Sequence, residues 1–193
     1  MGAMTRIGKE SALQLGLAVM LATAAAGAFD LYSSVQQKFD LISSDRLRAG
    51  ARIELSTAEL NAYAQHEVPA GVRNPKLELL AGGEVTGSAM VDFGKVRRAQ
   101  GEEPGWLMSK LLDGERPVSV TVRIHSSAGT ANVDVERGDV SGVEIDGTVL
   151  DFLIQNVLLP LYPNAMVGRT FGLSHRIDRL EVGPAGVSVV IGH

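Results

Sequence analysis

Catalysis needs a nucleophile, a base or a set of metal ligands, and these 193 residues offer few candidates for any of them. There is no cysteine, which excludes a thiolate nucleophile, a zinc–thiolate site and a disulfide framework. The four histidines, His66, His125, His175 and His193, are scattered. Ser109, Ser119, Ser126, Ser127, Ser141, Ser174 and Ser188 all lack the Gly-x-Ser-x-Gly elbow that lifts a hydroxyl onto a strained turn. His175 and Asp178 stand three apart in an expected strand, so they point to opposite faces, and His175 keeps phase with Phe171, Leu173 and Ile177. A satisfied core histidine is the favoured reading of His175. His66 falls at a helix end, where a protonated ring complements the dipole, and His125 falls on the wet face of a strand. Asp139, Glu144 and Asp146 lie along a glycine-rich stretch without the spacing that surrounds calcium, so they read as a solvated loop. No catalytic residue or metal ligand is assigned, and no cofactor is expected. Lys95, Arg97 and Arg98 form the one basic cluster: they are candidates to meet a phosphate headgroup, with a solvated turn after a strand as the commoner outcome.

The elements that would position these groups follow from composition and period. Eighteen Lys plus Arg against 22 Asp plus Glu give a net charge of −4, with 45% apolar residues and a mean hydropathy of +0.12. That balance excludes a disordered tail and gives no polycationic surface for nucleic acid. A chain of this length builds one core of ordinary size, so a single domain is expected.

Ser11 through Phe29 carries no charge, follows Arg6 and Lys9, and closes with Ala24-Ala25-Ala26-Gly27-Ala28. This is the layout of a secretory signal cut before Phe29, and the competing reading is a retained membrane anchor. Residues 1–28 are therefore expected to be a signal peptide or anchor, and residues 29–193 an extracytoplasmic domain in the periplasm or cell envelope, secreted or held by residues 11–29. Loss of the leader would remove Arg6, Lys9 and Glu10 and leave the remainder mildly acidic.

Phe29, Tyr32, Val35, Phe39, Ile42 and Leu47 predict an amphipathic first helix or stalk within residues 29–50. Ser56 and Glu59 have capping-box spacing, so a helix over 57–66 is expected, with Leu55 and Leu60 stapled across its start. From Lys76 the period changes to two. Leu77, Leu79 and Ala81, a Gly82-Gly83 turn, and Val85, Ala89, Val91 and Phe93 predict a hairpin. Val118, Val120, Val122 and Ile124 alternate with polar residues in the clearest strand, and Ala128-Gly129 turns it into Ala131, Val133 and Val135. Strands are also expected over 170–182 and 186–192, joined by Gly183-Pro184-Ala185, with a bulge near Asp178 or Arg179 because Leu180 and Val182 leave the phase of Ile177.

Two apolar segments stand out, the longer exceeding what one flat sheet covers, with burial in the core as an equal alternative. Over Thr148 to Tyr162 the apolar side chains cover roughly two-thirds of a helix circumference, against the roughly 100° stripe that suffices on a flat sheet. The surplus must meet a curved sheet, another helix, a partner, a membrane or a hydrocarbon chain. Trp106, Leu107, Met108, Leu111 and Leu112 read as a lid, an interfacial foot or an ordinary capping helix.

The leader, the segment Leu55-Ser56-Thr57-Ala58-Glu59-Leu60-Asn61-Ala62-Tyr63, the valine-rich hairpins and the closing Gly-Pro-Ala-Gly-Val-Ser-Val-Val-Ile-Gly resemble small exported bacterial envelope proteins. These include the phospholipid-binding family implicated in mannan-chain elongation and related uncharacterised membrane-anchored proteins. The resemblance covers about half of the mature chain and implies a curved antiparallel sheet around helices, working at the lipid or polysaccharide face of the envelope. Ser56, Glu59, Leu60 and Asn61 match its helix start, where their role is capping and packing.

The expectation is thus an α+β fold: a strongly curved antiparallel sheet of about six strands, wrapped around or packed against two to three helices. The expected function is non-enzymatic binding of a lipid or other amphiphile, through Trp106, Leu107, Met108, Leu111, Leu150, Leu153, Ile154, Val157 and Leu158, with Lys95, Arg97 and Arg98 at a headgroup. The alternatives are a structural subunit that docks an envelope protein through exposed apolar helix surface, and an exported hydrolase without a recognisable motif. A membrane surface is a further expected partner; nucleic acid is not. Replacing Trp106 and Leu107 with Asp separates a foot from a core element: a foot loses vesicle capture in a flotation assay at nearly constant melting temperature, whereas a core element loses stability.

Overall fold

Tyr32, Val35, Phe39 and Ile42 recur at spacings of three and four and lay one apolar stripe along α1, the helix of residues 30–43. The computed structural model describes residues 30–99, 101, 114–155, 159 and 166–193. α1 ends where Asp45 turns left-handed at φ 54°. Strand β1 (Arg52–Ser56) follows and runs directly into α2 (Thr57–His66). The capping box at that junction is complete: the Ser56 hydroxyl accepts from the Glu59 amide at 3.2 Å, and the Glu59 carboxylate accepts from the Ser56 amide at 2.8 Å. Leu55 and Leu60, the staple pair, both join the core beneath α1.

Beyond α2, β2 (Val72–Leu79) and β3 (Glu84–Asp92) form the hairpin that turns through Gly82 and Gly83, at φ 76° and 84°. A Cβ on Gly83 would lie 2.4 Å from the Ile124 carbonyl oxygen, so only glycine fits there. Helix α3 (Phe93–Ala99) leads towards β4 (Glu115–Ser127), β5 (Thr130–Val140), β6 (Val143–Ile145) and α4 (Gly147–Leu153). Both two-residue loops here have positive φ at each position, Ala128-Gly129 at 49° and 74° and Ser141-Gly142 at 58° and 81°, as the twist of such hairpins requires. The short β7 (Phe171–Gly172) precedes the closing hairpin of β8 (Ile177–Gly183) and β9 (Gly186–Ile191).

Helices and antiparallel strands together make the fold α+β, as expected, but the strands divide into two sheets. The six-stranded sheet runs β2-β3-β4-β5-β6, with β7 also on β5, and the three-stranded sheet runs β1-β9-β8. Here the expectation of one strongly curved sheet wrapped around helices is corrected: the larger sheet is not strongly curled. The reason is a long-range pairing, with Ile53 opposite Val189 and Leu55 opposite Val187, which takes the closing hairpin out of the sequential series. α1 and α2 then pack on the small sheet, where Val35, Ile42, Leu55, Val189 and Ile191 form one core. Val91, Phe93 and Val96 form the other, against the large sheet.

A second correction concerns residues 170–182, which are not one strand. His175 and Arg176 both adopt φ 56° and break it, so His175 sits exposed in a turn, 3.7 Å from Asp45, rather than in the core. The bulge falls between Ile177 and Arg179, where it was expected.

Strand edges are closed by side chains. Asn61 on α2 donates to the Leu77 carbonyl at 2.9 Å and accepts from the Leu77 amide at 2.8 Å, standing in for a neighbour of edge strand β2. Ser126 treats Leu180 on edge strand β8 in the same way, at 2.9 and 2.8 Å, which links the two sheets. Asn61→Ala should leave both Leu77 backbone groups unsatisfied and cost about 1–3 kcal/mol in urea unfolding; a change under about 0.5 kcal/mol would mean that water replaces the amide without loss.

Candidate functional site

The stripe on α1 and the alternating residues of the small sheet enclose an apolar groove. Phe39, Ile42 and Ser43 come from α1, Leu60 from α2, and Leu55, Ile177, Leu180, Val187 and Val189 from the strands. Its volume is about 330 Å³, and the Ser43 side chain is its one polar member. Pockets for small ligands span about 300–1,000 Å³, so this one suits a single slender apolar group. The register explains the lining: cross-strand neighbours Leu55, Val187 and Val182, and Ile53, Val189 and Leu180, share the face under α1.

A buried ionic cluster flanks the groove. Glu59 is only 5% exposed, and its carboxylate accepts from the Ser34 hydroxyl at 2.6 Å, Lys38 Nζ at 2.8 Å, the Ser56 amide at 2.8 Å and the Ser56 hydroxyl at 2.9 Å. Lys38 Nζ also donates to the Glu54 carbonyl at 2.7 Å, on the outer edge of β1. Burial alone would push the Glu59 pKa up, but the hydrogen bonds from Lys38, Ser34 and Ser56 outweigh it and hold the group at about 2. A carboxylate held so low is a poor base for the Ser56 proton, and the Lys38 ammonium is engaged by two acceptors. The cluster is built to hold α1, β1 and α2 together.

Two other depressions differ in character. On the outer face of the small sheet, a shallow hollow of about 620 Å³ is lined by Arg52, Glu54, Glu181 and Ser188 and by Lys38, Ser56 and Glu59 of the ionic cluster, with Arg52 and Glu181 paired through two bonds. Between α1 and α2, a space of about 360 Å³ is bordered by Leu31, Gln65 and the stacked rings of Tyr32 and His66, 3.7 Å apart. His66 ends α2, as expected, and its Nδ1 lies 3.2 Å from Glu67. Among the described residues, no group of three or more His, Cys, Asp or Glu is placed to hold a metal, and no helix is long and apolar enough to cross a membrane.

The residues expected from sequence lie elsewhere. Leu150 is half-buried over β5, where a Cβ on Gly138 would come within 3.0 Å of its Cδ1, and Ile154 is half-buried one turn further on. The leader, Trp106, Leu107, Met108, Leu111, Val157 and Leu158, and the side chains of Arg97 and Leu153, lie outside the described residues. Lys95 and Arg98 are exposed, and they stand on helix α3 rather than in a solvated turn. Asp92 caps that helix, accepting from the Lys95 amide at 2.9 Å, and its other oxygen is 3.3 Å from Lys95 Nζ. Asp92, a capping residue type directly before Phe93 and Val96, was the signal that would have revealed α3.

Comparison with protein-family models, with curated proteins and with solved structures finds no match for this chain.

The low pKa of Glu59 sets a direction with pH. Its folded value of about 2 lies below the ordinary 4.5, so between these values the unfolded chain binds the proton and the folded chain does not. Stability is therefore full above about pH 5 and falls as acid approaches pH 2, with a contribution on the order of 3 kcal/mol from this group. Urea unfolding from pH 7 to pH 2 should show wild type losing that much more than Glu59→Gln; parallel pH profiles would refute the assignment.

Proposed function

We propose that this chain is a non-enzymatic binder of a lipid or other amphiphile in the bacterial cell envelope. The observation that carries the reading is the groove beneath α1, walled almost wholly by hydrocarbon. An apolar pocket with a single hydroxyl offers a ligand burial of methylenes and little else, which selects alkyl chains. The loose resemblance of the Ser56–Tyr63 segment to exported envelope proteins points the same way.

Magnitudes limit what the groove does alone. Ten methylenes at about 0.8 kcal/mol each contribute about 8 kcal/mol, and association costs about 4 kcal/mol or more. The remainder corresponds to a dissociation constant of about 1 mM, so a second contact is needed for micromolar binding. We assign that contact to the apolar residues Trp106, Leu107, Met108 and Leu111 with Leu150, Leu153, Ile154, Val157 and Leu158. Lys95, Arg97 and Arg98 are the proposed headgroup contacts, with Lys95 partly neutralised by Asp92.

Native mass spectrometry of protein purified from a lipid-bearing bacterial host should reveal bound lipid masses; clean apoprotein that also ignores added phospholipid counts against the reading. Val187→Phe, which fills the groove from its floor, should weaken binding of the fluorophore N-phenyl-1-naphthylamine at least fivefold, at an overpacking cost of about 1–3 kcal/mol. Unchanged binding by a folded Val187→Phe protein removes the groove as the site.

A further inference from the structure

α1 is held differently along its two halves. In its N-terminal half Val35 is fully buried and Ser34 and Tyr32 are bonded to Glu59 and Glu67, beside the space that Leu31 borders. Its C-terminal half supplies Phe39, Ile42 and Ser43 to the wall of the groove. The Lys38–Glu59 pair stands one residue before the groove residues Phe39 and Leu60 and lines the polar hollow of the outer face. The floor of the groove is nearly inaccessible with α1 in place, since Leu55 and Val189 are 5% and 3% exposed. A ligand that reaches the floor therefore needs one wall to yield.

The walls differ in how they are tied. β1, β8 and β9 are hydrogen-bonded as a sheet, and α2 is fixed by Asn61 on β2 and by its Thr57 amide on the Ala185 carbonyl at 3.1 Å. The bonds that join α1 to its neighbours run through side chains: Ser34 and Lys38 to Glu59, Lys38 to the Glu54 carbonyl, and Tyr32 to Glu67 at 2.7 Å. Past the end of α1, Asp45 faces His175 at 3.7 Å and Arg176 donates to the Leu47 carbonyl at 3.4 Å, so side chains hold the segment as far as Gly50, whose amide donates to the Ile191 carbonyl at 2.8 Å.

We infer that the Lys38–Glu59 pair is a latch that keeps the C-terminal half of α1 closed over the groove, and that its release lets this half lift and admit an alkyl chain. The inference rests on the reading of the groove as an amphiphile site, and it regulates that same site. Closure holds a bound chain against Phe39 and Ile42; opening lets it exchange.

Two variants test the latch. Lys38→Met removes the cation and keeps the capping box of α2, and Glu59→Gln removes the anion and keeps one acceptor oxygen for the Ser56 amide, with its NH2 turned to the Ser34 hydroxyl oxygen. Amide hydrogen exchange at pH 7 should speed up at least tenfold over residues 37–47 in both, while β4 and β5 keep wild-type protection. N-phenyl-1-naphthylamine should enter the variants at least threefold faster in stopped-flow mixing. Unchanged exchange over residues 37–47, or a rise matched by β4 and β5, overturns the latch, and so does faster exchange with an unaltered entry rate. If exchange over residues 37–47 responds as expected while the fluorophore binds neither wild type nor variants, the latch stands as a conformational device and the amphiphile reading falls.

Discussion

A carboxylate enclosed to 5% exposure is the constraint from which the small sheet and both of its helices follow. An unpaired charge at that depth would cost several kcal/mol, so Glu59 can be buried only where Ser34, Lys38 and Ser56 converge on it. That convergence fixes three things together. It starts α2 at Thr57, it puts Lys38 on the outward carbonyl of Glu54, and it sets α1 across the face that bears Leu55 and Val189. Salt bridges elsewhere, such as Arg52–Glu181 and Lys76–Glu78, join exposed groups and contribute little.

Features encoded over a few residues were legible in the sequence. The capping box of Ser56 and Glu59, the paired glycines of the β2–β3 turn, the Ala128-Gly129 turn and the bulge after Ile177 are all where local chemistry puts them. What was not legible depends on partners far away along the chain. Pairing of Ile53 with Val189 cannot be read from either segment, so Phe39, Leu60, Leu180 and Val187 showed only as helix-stripe, staple and strand residues and not as one groove. His175 looked like a strand residue because nothing in its type announces a left-handed turn, which glycine or asparagine more often supplies. α3 was hidden by its cations and by Gly94, although Asp92 is of a capping type.

The two sheets stay distinct because their edges are occupied. Asn61 and Ser126 each fill both backbone positions of one edge residue, so β2 and β8 have nothing to offer a further strand at Leu77 or Leu180. Leu60 and Asn61, neighbours on one short helix, divide the work. One lines the groove and the other closes the large sheet, so a change in the position of α2 is felt on both sides.

The pairing of β1 with β9 also governs the order in which the molecule assembles. Arg52 finds its opposite in Val190, across well over a hundred residues, whereas the hairpins from β2 to β6 join neighbours. Closing so long a loop is entropically the dearest contact in the fold, and it cannot begin before the final strand has been synthesised. A nascent chain therefore carries the greasy underside of α1 uncovered while the larger sheet takes shape. In that interval the segment is a natural client for chaperones.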